Sequence, residues 1–209
     1  MFAVCNRSTV TVLLLETDLS GDFLFQAEGL GAIRGERVLF TSVSLDLKAG
    51  DAIVLRGANG TGKSTLLRML AGLSRPDSGQ IERRAKHHWL GHRDGVKPHE
   101  TPRQHLRHWA RAWGSEADVT EVAVVMGLER PMDVAGRLLS AGQRRRTAIG
   151  RLRLVQRPVW LLDEPFNALD ADGRKMLAGM IEAHRAAGGG VVSALHGDAP
   201  FEASGEVVL

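Results

Sequence analysis

The chain has 209 residues, of which 44% are hydrophobic and 24% charged, with a formal charge of +3. These values suit one globular domain with a sizeable core, and the mild basicity permits an anionic ligand or membrane-surface work without demanding either. The longest apolar run near the start, Val12 to Leu15, is too short for a bilayer span or a signal-peptide core, and Cys5, the sole cysteine, excludes an internal disulfide or a cysteine zinc site. A cytoplasmic chain follows, with any membrane association made through a partner.

Residues 1–24 read as a tail that is either disordered or upstream of the true start, although Val10 to Leu15 has strand character. Strand-like patterns begin at Phe23-Leu24-Phe25 and continue at Val38-Leu39-Phe40 and Val43, Leu45, Leu47. Lys48-Ala49-Gly50-Asp51 reads as a hairpin turn, followed by a short apolar strand over Ala52 to Leu55. Helical spacing runs from Lys63 to Leu73, and Pro76-Asp77-Ser78-Gly79 breaks the chain. From His92 to about Arg153 the pattern is mainly helical: one helix starts at Thr101-Pro102, with Thr101 as N-cap, another runs near Ala117 to Met126, and a third follows Ser140. After Pro158 strands and helices alternate again: a strand over Val159 to Leu162, a helix over Gly173 to Ala187, then strands over Val191 to Leu195 and Val207 to Leu209. The organisation is an α/β core interrupted by a helical lobe.

Gly57-Ala58-Asn59-Gly60-Thr61-Gly62-Lys63-Ser64-Thr65 matches G-x-x-x-x-G-K-[ST] between a strand and a helix. Glycines let the backbone turn its N–H groups toward a phosphate, and the helix start adds a positive dipole end. Lys63 can reach the β- and γ-phosphates, and Ser64 can offer its hydroxyl to Mg²⁺. That motif alone says P-loop NTPase. Pro158 to Glu164 is an apolar strand ending in two carboxylates, of which Asp163 suits the magnesium shell and Glu164 suits polarising a water.

Leu139-Ser140-Ala141-Gly142-Gln143 resembles the L-S-G-G-Q signature of ABC ATPases, with alanine in place of the first glycine. Ser140, Ala141, Gly142 and Gln143 stand at a helix start, which makes an anion site and equally an ordinary N-cap. Ala168-Leu169-Asp170 stands where that family has its D-loop, and His196 where it has its switch histidine. The chain thus resembles ABC ATPases from about residue 25 to the end. The resemblance implies a P-loop NTPase core with an antiparallel β subdomain and an inserted helical subdomain at about residues 93–153. It implies catalytic roles for Glu164 and His196, Mg²⁺ held at Ser64 and Asp163 with ATP as substrate, and Ser140 to Gln143 acting in trans on a second copy.

Two positions depart from the family pattern. The Q-loop place falls at His92 or Arg93 rather than a glutamine, and the adenine-stacking place falls near Ile33 or Arg34 rather than an aromatic. The short cassette, the Leu90-Gly91-His92-Arg93-Asp94-Gly95-Val96-Lys97 segment and the alanine signature followed by Arg144-Arg145-Arg146 look like the haem exporter ATP-binding subunit of bacterial cytochrome c biogenesis. That likeness implies integral-membrane partner subunits, a paired ATPase at the cytoplasmic face of the inner membrane, and no direct haem binding by this subunit.

Six of the eight histidines lie between His87 and His108, but no cysteines or convergent carboxylates accompany them, so packing or surface roles are favoured over a metal or haem site. Trp109 and Trp113, four residues apart, share a helix face that serves core packing or a dock for a membrane subunit. Arg144 to Arg146, with Arg151 and Arg153, read as a solvated helix face; no aromatic interleaving supports nucleic-acid binding. Another small ABC exporter, a non-transport ABC ATPase and a small-molecule P-loop kinase are the alternatives. Non-transport ABC ATPases usually carry two cassettes or a long insertion, and a kinase has no need of the signature or of His196.

Overall fold

The computed structural model describes Val12, Leu13 and residues 23–209. Most of the region read as a tail, with Cys5, lies outside the described residues. Within it, strand β1 (Val12–Leu13) pairs antiparallel with the last strand, and β2 already begins at Phe23.

A three-stranded antiparallel sheet is built from β2 (Phe23–Arg34), β3 (Arg37–Lys48) and β5 (Ser78–Arg83), in the order β3-β2-β5. A six-stranded sheet carries β1, β9 (Gly205–Val208), β4 (Ala52–Arg56), β8 (Gly190–Ala194), β7 (Val159–Asp163) and β6 (His87–Leu90) in that spatial order. All of its ladders are parallel except the one between β1 and β9. Three sequence expectations change here. Lys48 to Asp51 is not a hairpin turn, because β3 and β4 lie in different sheets and the turn carries the chain from one to the other. Ser78 and Gly79 open β5 rather than breaking the chain. His87 to Leu90, which showed no strand run in the sequence, forms the edge strand β6. A four-residue segment containing two histidines carries too little alternation to be read on its own; pairing with β7 decides it.

The central strands β4, β7 and β8 are mostly apolar because both faces are covered, with Arg56, Asp163 and Ser193 as their polar residues. On β7, Val159 and Leu161 face one core with the antiparallel sheet and α1 (Lys63–Leu70). Trp160 and Leu162 face the other, with α2 (Pro102–Trp113), α3 (Val119–Val125), α4 (Ala141–Gly150) and α5 (Ala171–Ala186). Helix α1 ends at Leu70, earlier than its apolar spacing suggests, and leaves Leu73 exposed.

The inserted helices start where the sequence marks them. Thr101 caps α2 with a complete capping box: its side chain accepts from the Gln104 N–H while the Gln104 side chain accepts from the Thr101 N–H. Trp109 and Trp113 turn inward and pack against the core, with ring centroids 4.9 Å apart. Arg157 lies over Trp113 and Arg151 over Trp109, at 4.9 and 5.2 Å. These two rings thus join the helical lobe to the core sheet rather than forming an exposed dock. The histidines divide among separate tasks: His88 and His105 are buried, and His87 meets the Phe25 ring. No helix among the described residues is long and apolar enough to cross a membrane.

Candidate active site

Parallel strands bring their carboxyl ends to one edge, where a crevice forms. In the order β4-β8-β7-β6, that edge collects four segments far apart in sequence: the glycine loop after β4, Leu195-His196 after β8, Asp163-Glu164 at β7, and Gly91-His92 after β6. The register aligns them, with Leu55 opposite Ala194, Asp163 opposite Ala194, and Leu90 opposite Leu162.

The glycine loop turns through left-handed backbone at Gly57, Gly60 and Gly62, with φ of 137°, 81° and 114°. At Gly57 a Cβ would meet the Leu209 carbonyl at 2.5 Å, and at Gly62 it would meet the Phe40 ring at 2.8 Å, so no side chain fits at either. Gly62 is the N-cap of α1 and makes no side-chain cap bond, leaving the first N–H groups of the helix directed at the loop. Lys63 is 6% exposed; its Nζ donates to the Gly57 and Ala58 carbonyls at 2.6 and 3.0 Å, which holds the ammonium beneath the loop. Ala58, Asn59 and Gly60 face solvent, Thr61 Oγ1 donates to the Ala58 carbonyl, and Thr65 lies half-buried on α1.

Ser64 Oγ donates to Asp163 Oδ1 at 3.0 Å, so the loop and the β7 carboxylate are in direct contact. Burial raises the Asp163 pKa; the Ser64 bond opposes this, and the neighbouring Glu164 charge adds to it. Glu164 has φ of 48°, an unusual conformation for a side chain of its size. Its carboxylate lies between two imidazoles, with His196 Nε2 2.9 Å from Oε1 and His92 Nδ1 3.2 Å from Oε2, and it also accepts from Asn167 Nδ2 at 2.6 Å. The structure therefore brings Glu164, His196 and His92 into one cluster beside Asp163 and Ser64.

Ser140, Ala141, Gly142 and Gln143 stand apart from that cluster. Among the described residues, no hydrogen bond or ion pair joins them to residues 57–65. Ser140 caps α4 and forms a capping box with Gln143. Gly142 packs against the D-loop so closely that a Cβ would come 2.9 Å from the Ala168 carbonyl. Asp170 caps α5 by accepting from the Gly173 N–H and pairs with Arg146 at 2.5 Å. At the adenine-stacking place, Ile33 is exposed and Arg34 is drawn toward Asp77, 3.5 Å away.

One reading of the sequence is overturned here. The arginines after the signature are not a solvated face: Arg145 is 3% exposed and contacts the backbone of Asp163 and Glu164. Arg151 is half-buried, and the loss of hydration lowers its pKa to about 10, with help from the nearby Arg145 charge. The signal was present in the sequence. Arg145, Ala148, Ile149 and Leu152 are spaced i, i+3, i+4, i+7, which places the arginine within an apolar stripe.

The family profile for ABC transporters matches residues 40–167. The chain is 56% identical to a cytochrome c biogenesis ATP-binding export protein, CcmA, of Hyphomonas neptunium, over 89% of this chain and 96% of that one. It is 43% identical to the CcmA protein of Maricaulis maris, over 82% and 85%. Among solved structures it resembles an ATP-binding subunit of an ABC transporter, with TM-score 0.73 and 23% identity over 83% of this chain and 79% of that one. An ABC transporter ATP-binding protein from Pyrococcus furiosus gives TM-score 0.74 and 20% identity over 88% and 96%. With a fold shared by those cassettes and sequence identity that runs nearly end to end with the export proteins, the chain belongs to the ABC transporter family as an ATP-binding, ATP-hydrolysing subunit of the CcmA type.

Proposed function

We propose that this chain energises haem export for c-type cytochrome assembly, working as a pair of copies beneath integral-membrane subunits at the cytoplasmic face of the inner membrane. Support comes from its relatives, which are named for cytochrome c biogenesis and export. The observation that carries the catalytic reading is the Glu164 carboxylate held between His196 and His92, one residue from Asp163 and its bond to Ser64.

The loop from Gly57 to Thr65 cradles the phosphates of ATP. Its N–H groups, the α1 dipole and the Lys63 charge oppose the negative charge that develops on the transferred group. Ser64 and Asp163 together present a hydroxyl and a carboxylate 3.0 Å apart, a hard-oxygen pair that fits Mg²⁺ completed by nucleotide oxygens and water. When bound there, the ion would neutralise phosphate charge. Glu164 accepts a proton from the attacking water, and His196 holds the carboxylate in place and reaches the γ-phosphate. His92 occupies the Q-loop place on the other side of Glu164. Ser140 to Gln143, which among the described residues make no hydrogen bond or ion pair with their own chain's loop, supply the α4 N-terminus to ATP on the second copy, while Asp170 lies at the D-loop.

Glu164→Gln tests the catalytic part. It retains the side chain's shape but not its basicity, so ATP binding persists, turnover falls by about 10²–10⁴-fold, and a nucleotide-bound dimer accumulates. Undiminished turnover would remove Glu164 from the role. Deletion of the gene followed by haem staining tests the cargo: normal c-type cytochromes would count against haem export and leave the ATPase intact.

A further inference from the structure

The Arg145 guanidinium is buried inside the site edge, and every one of its N–H groups has a partner. Nε donates to the Pro165 carbonyl at 3.1 Å. Nη2 donates to the Asp163 and Glu164 carbonyls at 3.0 and 2.8 Å. Nη1 donates to the Gly91 carbonyl at 3.0 Å and to Asp94 Oδ1 at 3.1 Å. A guanidinium offers five donors in a rigid plane, and here all five are used. Among the described residues its only ion-pair partner is Asp94, whose side chain is 22% exposed. A cation at this depth is retained only where such a set of acceptors replaces its water.

The three carbonyls of residues 163–165 fix three consecutive peptide planes. Between them lies Glu164, whose left-handed backbone is one that a side chain rarely adopts unaided. The Glu164 N–H is held from the other side by the Ala194 carbonyl at 3.0 Å. Through Gly91 and Asp94, the same guanidinium also grips the segment that carries His92, the second imidazole against the Glu164 carboxylate.

We propose that Arg145 is a positioning residue for hydrolysis: it enforces the Glu164 backbone and locks the 91–94 segment to it, so that the carboxylate and His92 keep a single arrangement. It touches no nucleotide itself and contributes nothing to ATP affinity. The proposal rests on the catalytic reading of Glu164. Lysine cannot take over fully, because three donors on a flexible stem cannot serve five acceptors spread around a plane.

The test uses the full-length chain purified with its membrane subunits, measuring kcat and KM for ATP. Arg145→Gln lowers kcat by about 10²-fold with KM changed no more than about twofold, since a displacement on the order of 1 Å at a reacting group has that effect. Arg145→Lys recovers part of the loss. Asp94→Asn, which keeps an acceptor for Nη1 and removes only the negative charge, lowers kcat by a smaller factor and likewise spares KM; it carries the test with Arg145→Lys if Arg145→Gln does not fold. Glu164→Gln is run alongside. If that variant is inactive while the Arg145 and Asp94 variants keep their kcat, or lose only KM, the positioning role is overturned. If Glu164→Gln is fully active, the catalytic reading falls and this proposal falls with it.

Discussion

His88 gives the chain a specific acid sensitivity. Its ring is 2% exposed on β6, tilted against Trp113 at 5.0 Å, with Nε2 2.7 Å from the Val155 carbonyl. Burial lowers its pKa from 6.5 to about 4; the Val155 bond opposes this, and the Arg157 and Arg151 charges reinforce it. The unfolded chain therefore takes up a proton near pH 6.5 that the folded chain refuses until about pH 4. Stability from this group is complete above the unfolded value and is lost as the pH falls toward the folded one. At about 1.4 kcal/mol per pH unit, the loss across that window is about 3 kcal/mol. His88→Gln keeps an N–H donor for Val155 and removes the titration. Urea unfolding at pH 7.5 and pH 4.0, followed by tryptophan fluorescence, measures the difference. The parent chain loses about 3 kcal/mol more than the variant between the two conditions. His87, His105 and His184 are also lowered by burial, but they contribute the same slope to both proteins and cancel. An identical pH dependence in parent and variant would refute the reasoning.

Three further outcomes concern the site. Gly142→Ala drives a Cβ to 2.9 Å from the Ala168 carbonyl, which must shift. That overpacking costs about 1–3 kcal/mol, roughly 2–4 °C in Tm per kcal/mol, and ATPase falls with it; an unchanged Tm would mean that the D-loop yields freely. Ser140→Asp keeps the α4 cap but sets a negative charge where an anion is expected, so Tm holds and ATPase falls at least about tenfold. Ser140→Ala loses the cap and about 1 kcal/mol. Full activity in Ser140→Asp would reduce Ser140 to a cap. ATP at about a hundred times its Kd stabilises the chain by about 2.7 kcal/mol, and Lys63→Ala removes most of that nucleotide-dependent rise in Tm; Tm without nucleotide also falls, because the buried side chain gives up its bonds to the Gly57 and Ala58 carbonyls, so each protein is compared with its own nucleotide-free form. An equal rise in both proteins would argue against Lys63 as the phosphate contact.

Local pattern was enough to read the strand–loop–helix around Lys63, the cap at Thr101 and the apolar strand ending at Asp163. Each depends on residues adjacent in sequence, and spacing alone specifies them. The sheet to which a strand belongs is another matter. Turn chemistry at Lys48 to Asp51 is the same whether the chain doubles back or crosses to another layer, so β3 and β4 looked like a hairpin until their partners were known. Likewise β6 exists because β7 offers it a ladder. The meeting of His92, Glu164 and His196 is likewise tertiary, produced by the strand order β4-β8-β7-β6 at one sheet edge. Arg145 lies between the two levels. Its place in an apolar stripe was legible, but charge type argued for solvent, and only the carbonyls gathered from β6 and β7 make burial of a guanidinium favourable. Sequence by itself marked the groups proposed to bind a phosphate and activate a water; the tertiary structure decided which of them meet, because that depends on the order in which distant strands pair.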